Sequence, residues 1–333
     1  MRMNEKAATI YDIAKLAGVN PSTVSRALSN PGRINAATEA KVHAAAKELN
    51  YRVNPFARAL PTGKTKMIAL MVADITNPVF FKVVRGAEKV AAEHGYTLVV
   101  AESFESSKVE ADSLQRILPT VDGVIFGTTR LADAEIYEAN REKPVVLINR
   151  LVEGVADVVP NNEPGIAEAI AHLAALGHKH IGFLGGPTAS WINTDRWNLL
   201  MKHAVDAGMT VVSIGPNLPT VEGGRDALDQ VRASGVSAII TYNDLMGIGL
   251  LRAATAAGVL IPQQLSIIGF DNIFGSDFTS PPLTTIEMPL EVIGGNAVLA
   301  LLKTFEATDD AVPHGSNEST SLLVRGSTAE AKA

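Results

Sequence analysis

An α/β fold is predicted, a short all-helical head followed by a core of two doubly wound parallel sheets, and three observations predict it. Hydrophobic positions recur at helical spacing as far as Leu49 and give way, from Met67 onward, to short apolar runs. Those runs (MIALMVA, YTLVVAE, GVIFG, PVVLIN, HIGFLGG, VVSIG, SAIITY and LSIIGF) alternate mostly with helical patterns of ten or more residues. That alternation is the mark of parallel strands joined by crossover helices. Eight strands with connections of this length are too many for one sheet. Two lobes with a cleft between them fit better, and 333 residues exceed one compact core.

The head reads as three helices. Ile10, Ile13, Ala14 and Ala17 share one helical face, and Gly18 ends that segment. Asn20 is placed to cap the second helix, with Pro21 at its first position, where the missing N–H costs nothing. Val24, Ala27 and Leu28 form its buried face, and Asn30-Pro31-Gly32 stops it. A third helix is expected from about Ala36 to Leu49, with Val42, Ala45, Ala46 and Leu49 inward. Residues 50–66 are basic, punctuated by Pro55, Pro61 and Gly63, and poor in core residues: a linker able to hold one brief helix from Pro55 to about Leu60.

Charge separates the two parts. Residues 1–66 hold eleven Lys/Arg against four Asp/Glu, a balance of +7, while the whole chain is −6, so the remainder carries −13. A basic head on an acidic body points to a polyanion met by the head alone. The chain has no cysteine, which excludes a disulfide framework and thiolate metal sites. Its start, MRMNEKAATIYDI, lacks the apolar core of a signal peptide, and no run approaches the roughly 18 apolar residues of a membrane span. A cytoplasmic protein is expected.

Two short helices joined through Ala17, Gly18, Val19 and Asn20 match a helix-turn-helix, whose tight turn needs a small residue and a glycine. On the second helix Ser22, Ser25 and Arg26 are polar. Arg26 suits bidentate contact with a guanine edge. Thr9, Tyr11 and Thr23 are candidates for phosphate contacts, which set register without reading sequence. Asn35 and Asn54 complete the DNA-facing candidates.

The stretch ATIYDIAKLAGVNPSTVSRALSNPGRINAATEAKVHAAAKELNYRVNPFARAL, with its TxxDxAxxAGVxxxTVSRxL core, closely resembles the head of the lactose/galactose repressor family. VADITNPVF, PVVLINR, HLAALGHKHIGFLGGP, TYNDLMGIGLL, LSIIGFDN and SPPLTTIEMP resemble family landmarks in family order, so the likeness runs through nearly the whole chain. It implies a core of the periplasmic-binding-protein type and base-reading positions at Pro21, Ser22 and Arg26. Proline cannot donate a hydrogen bond, which leaves Ser22 and Arg26 as the specific pair. The linker resembles the family's hinge helix, whose minor-groove wedge matches Leu60. Pro61 follows directly and disfavours helix at Leu60, so the hinge helix is expected to end there. The implied partner is a near-palindromic double-stranded operator, and the implied assembly a homodimer. No heptad segment follows the tail TAEAKA, so no coiled-coil tetramer is expected.

The division that follows is a head of residues 1–53, a hinge and linker of residues 54–65, and a core of residues 66–333. Within the core, one lobe is assigned about 66–160 with 289–319, and the other about 161–288 with 320–333.

A cleft for an uncharged polyol needs planar hydrogen-bonding side chains and an apolar face. Polar residues that end predicted strands are the candidates: Asp74, Asn149 with Arg150, Asn243 with Asp244, and Asp271 with Asn272. The resemblance assigns effector roles most firmly to Arg196, Asn243 and Asp271, Arg196 standing nine residues beyond Pro187. Asn149, Asn161 and Phe80 also match pocket positions. Departures from the family pattern cluster here: Asn161 replaces a frequent aspartate, an aromatic gives way near Pro219, and the glutamine expected after TTI is shifted to Glu287-Met288. The usual glycine after Arg196 is missing, with Trp197 and Leu199 nearby, and Trp191 is a candidate stacking face.

Other classes fit less well. A stand-alone sugar-binding protein would not carry the basic head. No G-x-G-x-x-G follows the first strand and no phosphate-binding G-x-x-x-x-G-K-[ST] occurs. The histidines show no metal spacing with a carboxylate, His178-Lys179-His180 reads as decoration of a turn, and no nucleophile–base set appears, so neither cofactor nor enzymatic activity is expected. The effector class stays open between a sugar, favoured by the scarcity of aromatics, and a nucleoside or purine. Induction by the effector is the default sign, with corepression as the alternative.

Overall fold

The computed structural model describes residues 8–29, 33–51, 63–306 and 318–332. The chain separates into two compact units, Met1–Lys66 and Met67–Ala333.

In the first unit, α1 spans Ile10–Ala17, α2 Pro21–Ser29 and α3 Ala36–Glu48. Thr9 begins α1 with a capping box: the Asp12 N–H donates to Thr9 Oγ1 at 3.4 Å, and the Thr9 N–H donates back to Asp12 Oδ2 at 2.8 Å. Gly18 ends it at φ +66°, its N–H donating to the Ala14 carbonyl, a left-handed geometry that a side chain would strain. Asn35 caps α3 through Ala37 N–H at 2.9 Å. Ile13, Ala14, Val24, Ala27, Val42, Ala45 and Ala46 are buried together, a core of small residues that leaves the polar face of α2 outside.

The second unit holds two sheets. The first contains β1 (Met67–Val72), β2 (Thr97–Glu102), β3 (Gly123–Phe126), β4 (Val145–Ile148) and β5 (Ala156–Val158), all parallel, in the order β2-β1-β3-β4-β5. Met71 stands opposite Ala101 on one side and Phe126 on the other. Helices α4 (Val79–Glu93), α5 (Ser107–Ile117) and α6 (Asp133–Glu142) cross between its strands. The second sheet contains β6 (His180–Leu184), β7 (Thr210–Ile214), β8 (Ala238–Thr241), β9 (Ser266–Asp271), β10 (Thr284–Glu287) and β11 (Ser321–Leu323), ordered β11-β10-β9-β8-β6-β7. Only β11 runs antiparallel. Its helices are α7 (Glu163–Ala175), α8 (Trp191–Asp206), α9 (Val221–Asp226), α10 (Leu228–Ser234) and α11 (Asp244–Ala256).

Each sheet therefore has a switch point, between β1 and β3 and between β6 and β8, where the strand order reverses and ligands of doubly wound sheets bind. All eight predicted apolar runs are strands. The sequence reading missed β5, β10 and β11, which are three or four residues long, too short to show a period. The last helix, α12 (Leu290–Thr304), returns to the first sheet and packs on α4, while β11 joins the second. The chain thus passes between the lobes three times, after β5, after β10 and after α12.

The last turn of the chain corrects one expectation. His178 is not surface decoration: it is buried, with Nδ1 2.8 Å from Ser237 Oγ and Nε2 3.1 Å from the Ala329 carbonyl. A carbonyl only accepts, so Nε2 carries the proton and Nδ1 accepts from Ser237. The end of the chain is docked too, since Ala331 N–H donates to Leu176 O at 2.8 Å and His172 Nε2 meets Thr328 Oγ1 at 2.9 Å. Burial holds both imidazoles below their ordinary pKa. The unfolded chain therefore takes up protons that the folded one refuses, and this contribution to stability is lost as pH falls through the unfolded value near 6.5. Urea denaturation at pH 7.5 and pH 5.5 should show a larger loss for the parent chain than for His178→Asn. Equal losses would exclude His178 as a source of acid sensitivity.

Candidate functional site

The two switch points face one another across a cavity of about 620 Å³, its open mouth included. Phe80, Asn149, Arg196, Asn243 and Asp271 line it, so five of the eight sequence candidates converge there. Phe80 stands in the first turn of α4, Asn149 ends β4, Arg196 lies on α8, Asn243 precedes α11 and Asp271 ends β9.

Arg196 and Asp271 form the floor. Both are buried, and Arg196 Nη2 donates to Asp271 Oδ1 at 3.1 Å. Arg196 Nη1 donates to the Tyr242 carbonyl, and Nη2 also approaches Met288 Sδ at 3.4 Å. The guanidinium carbon lies 3.5 Å from the centre of the Phe270 ring, a stacked cation–π contact. Arg196 Nε has no protein partner, and neither has the buried Asn149 Oδ1. An orphaned donor and an orphaned acceptor at one cavity are what a hydroxyl, which donates and accepts, would satisfy.

Burial pushes the Asp271 carboxyl up to about 6 against the opposing effect of Arg196. Asp244, fully buried behind it, is pushed up to about 8, first by burial and then by the charge of Asp271. Its oxygens accept from Thr285 Oγ1 at 2.6 Å and Ile273 N–H at 2.9 Å, so this strand-end candidate is a structural tie. Asp271 and Asn272 have φ of +105° and +50°. Such strained non-glycine backbone persists where the surroundings over-determine it. Asn272 is held by Glu287 at 2.9 Å and Arg325 at 2.7 Å, and Arg150 by the Leu131 carbonyl and Asp133, both at 2.6 Å.

Three candidates lie outside the cavity wall. Asp74 closes its own loop, Oδ1 accepting from Thr76 N–H at 2.8 Å and Oγ1 at 2.6 Å. Asn161 is exposed, and its Oδ1 accepts from Glu163 N–H at 3.1 Å at the start of α7. Trp191 packs against the hydrophobic core. Ile192 and Arg196, four apart and so on one helix face, turn into the cavity, whereas Trp191 is rotated about 100° from Ile192. Asn243 lines the cavity with its amide largely used: Oδ1 caps α11 at Met246 N–H (3.0 Å) and Nδ2 donates to Pro219 O (2.9 Å).

The sequence reading passed over Asn77, Glu105, Thr128, Arg130, Tyr242 and Met288, all of which line the cavity. Their signal was the same strand-end rule. Thr128 and Arg130 follow β3, Glu105 follows β2, Tyr242 follows β8 and Met288 follows β10, which was unrecognised.

On the head, Ser22, Ser25 and Arg26 are exposed along α2, opposite buried Val24 and Ala27, with Pro21 and Thr23 half-buried beside them. Tyr11 is 69% exposed on α1. Thr9 and Asn35 are exposed caps whose side-chain oxygens serve their own helices. Asn54 and Leu60 lie outside the described residues, as does Pro61. Among the described residues no cluster of metal ligands occurs, and no helix is long and apolar enough to cross a membrane.

Comparison with known proteins agrees with both parts. Residues 9–54 match the model of bacterial regulatory proteins of the lacI family, and residues 170–328 that of a periplasmic binding protein-like domain. The chain is 33% identical to the HTH-type transcriptional repressor CytR of Escherichia coli (strain K12), over 98% of both chains. It is 31% identical to the ribose operon repressor of the same organism, over 89% of this chain and 92% of that one. The lac repressor dimer bound to operator and the anti-inducer ONPF superposes with a TM-score of 0.86 at 26% identity, covering 97% of this chain and 100% of that one. With a helix-turn-helix head, a two-lobed core and relatedness along its whole length, this chain belongs to the lacI family of bacterial regulatory proteins.

Proposed function

We propose that this chain is a transcriptional repressor that binds a near-palindromic operator as a homodimer and answers to a small sugar seated between the lobes of its core. The observation that carries the reading is the Arg196–Asp271 pair at two facing switch points, beside an orphaned donor and acceptor, in a chain that also exposes Ser22 and Arg26 on a helix-turn-helix. The ribose named for one relative supports a sugar. A nucleoside or purine remains the second class. Its flat base would stack on Phe80, with Pro219 across the cavity in place of a second aromatic. The chain acts in the cytoplasm, where the operator is, and no catalytic role is assigned to any residue.

A second copy of the chain fits the apolar patch of the C-terminal lobe. Phe274 and Phe278 are 69% and 70% exposed and stack edge-on at 5.0 Å, beside a groove lined by Ile248, Leu251 and Ala256. Patches of this kind mark association surfaces, and the lac repressor relative is described as a dimer. A two-fold dimer presents two heads to two half-sites.

Ligand must bind one arrangement of the lobes better than the other to change operator affinity. Release on binding is the expected sign. Selection of bound duplexes from a random pool, with and without sugars and nucleosides, tests the whole reading. A near-palindrome lost on addition of one sugar is expected, and a gain of affinity would identify a corepressor instead. Arg26→Ala should weaken the selected site about 5- to 150-fold, from the 1–3 kcal/mol of a bidentate base contact, and relax one base position per half-site. No enriched sequence under any condition would end the repressor reading.

A further inference from the structure

The cavity is lined by four charged side chains, and they come as two pairs, one from each lobe. Arg196 holds Asp271 in the C-terminal lobe. Arg130 holds Glu105 in the N-terminal lobe, with Nε at 2.8 Å and Nη2 at 2.7 Å from the same oxygen, Glu105 Oε2. Arg130 Nη1 donates to Thr128 Oγ1 and to the Thr129 carbonyl, each at 3.3 Å. The arginine side chain is only 7% exposed and its backbone N–H is fixed by the buried Glu110 at 2.8 Å. In each pair one carboxylate oxygen accepts the arginine, while the other, Glu105 Oε1 or Asp271 Oδ2, accepts no protein hydrogen bond. Glu105 also sits on strained backbone, with Phe104 at φ +53° and Glu105 at φ +56°, anchored by its N–H to the Ala73 carbonyl at 3.2 Å.

We propose that Glu105 is the N-terminal lobe's hydroxyl acceptor for the effector, with Arg130 as its positioning residue, and that the two opposed pairs select an uncharged polyhydroxylated ligand against its phosphorylated form. The proposal rests on the effector reading of the cavity. Its physical basis is charge balance. The lining sums to zero and neither arginine is without a carboxylate, so a phosphate dianion entering would meet two carboxylates and no unpaired cation. An unpaired charge in a desolvated site is costly. A diol instead donates to the two open carboxylate oxygens, as the ribose of a nucleoside and a free sugar can both do.

The test is calorimetric titration of the full chain with ribose, galactose, cytidine and adenosine, each beside its monophosphate. One neutral compound should bind, and its phosphate at least tenfold more weakly. A free sugar or a nucleoside as the binder identifies the source of the diol. Glu105→Gln should weaken the neutral ligand about tenfold or more, the loss of a hydrogen bond to a charged acceptor. It should also narrow the discrimination against phosphate, because Arg130 is then uncompensated. Arg130→Lys, which keeps the charge, should retain more affinity than Arg130→Gln. Unfolding midpoints close to the parent's would show that the variants are folded. A phosphorylated compound binding as tightly as its neutral form, unchanged affinity in Glu105→Gln, or no neutral compound binding would overturn the proposal. The effector reading fails separately, if no compound, charged or neutral, alters operator binding.

Discussion

Replacing Arg196 with methionine should lower the free energy of unfolding by about 3–5 kcal/mol, the usual cost of removing one partner from a buried ion pair. The side chain is 4% exposed and serves Asp271, the Tyr242 carbonyl and the Phe270 ring together. Without it the Asp271 carboxylate has no counter-ion in a buried site, and its pKa, already pushed up to about 6, must rise further. The sign of the pH effect follows. A carboxyl raised above its unfolded value near 3.8 stabilises the fold at low pH, and that contribution is lost as pH rises through the folded value. Arg196→Met should therefore be least impaired near pH 5 and most impaired near pH 8, when compared with the parent by urea denaturation. Adding Asp271→Asn should recover much of the loss. A double variant as unstable as the single one would show that the ion pair is not the source. Effector binding should vanish in both, since the floor of the cavity is gone.

Gly249→Ala should cost about 3 kcal/mol and disturb the effector site from a distance. A Cβ at Gly249 would lie 1.9 Å from the Val221 carbonyl oxygen, and one at Gly224 would lie 2.0 Å from the Met246 carbonyl oxygen. Both obstacles are backbone, so α9 and α11 must move apart rather than rotate a side chain. Alanine gains up to about 1 kcal/mol of helix propensity over glycine. Overpacking of a dense core typically costs 1–3 kcal/mol, and more where the backbone itself must move. The clash wins. Separation would also stretch the bond from Asn243 Nδ2 to Pro219 O, because Pro219 lies just before α9 and Asn243 just before α11. The expected signature is a lowered urea midpoint together with weakened effector binding. A variant with the parent's midpoint would mean that the helices part without cost. The N-terminal lobe uses the same device where α4 crosses α12, with Gly86 against the Glu291 carbonyl and Gly294 against that of Val83.

Much of the site was legible because doubly wound sheets place ligands at strand ends, and strand ends can be read from apolar runs. Phe80, Asn149, Arg196, Asn243 and Asp271 were found in this way or by resemblance, and the structure gathers them. Asp74 and Asn161 obey the same local rule yet turn to their own backbone, which polarity alone does not foretell. Arg130 and Glu105 were passed over because their meaning is a pairing across 25 residues.

Local and near-local forces were decided by the sequence alone: the capped helices of the head, the eight longer strands, the parallel class of both sheets and the polar face of α2. Each depends on periodicity, on the missing N–H of Pro21 or on the left-handed turn at Gly18, and these act within a few residues. The tertiary structure decided the short strands β5, β10 and β11, the burial of His178 under the returning C-terminal segment, and which polar strand-end residues face the cavity. Those outcomes depend on partners distant in the chain, such as Arg196 with Asp271 or His178 with Ala329, whose meeting is set by how the lobes pack rather than by any pattern along the sequence.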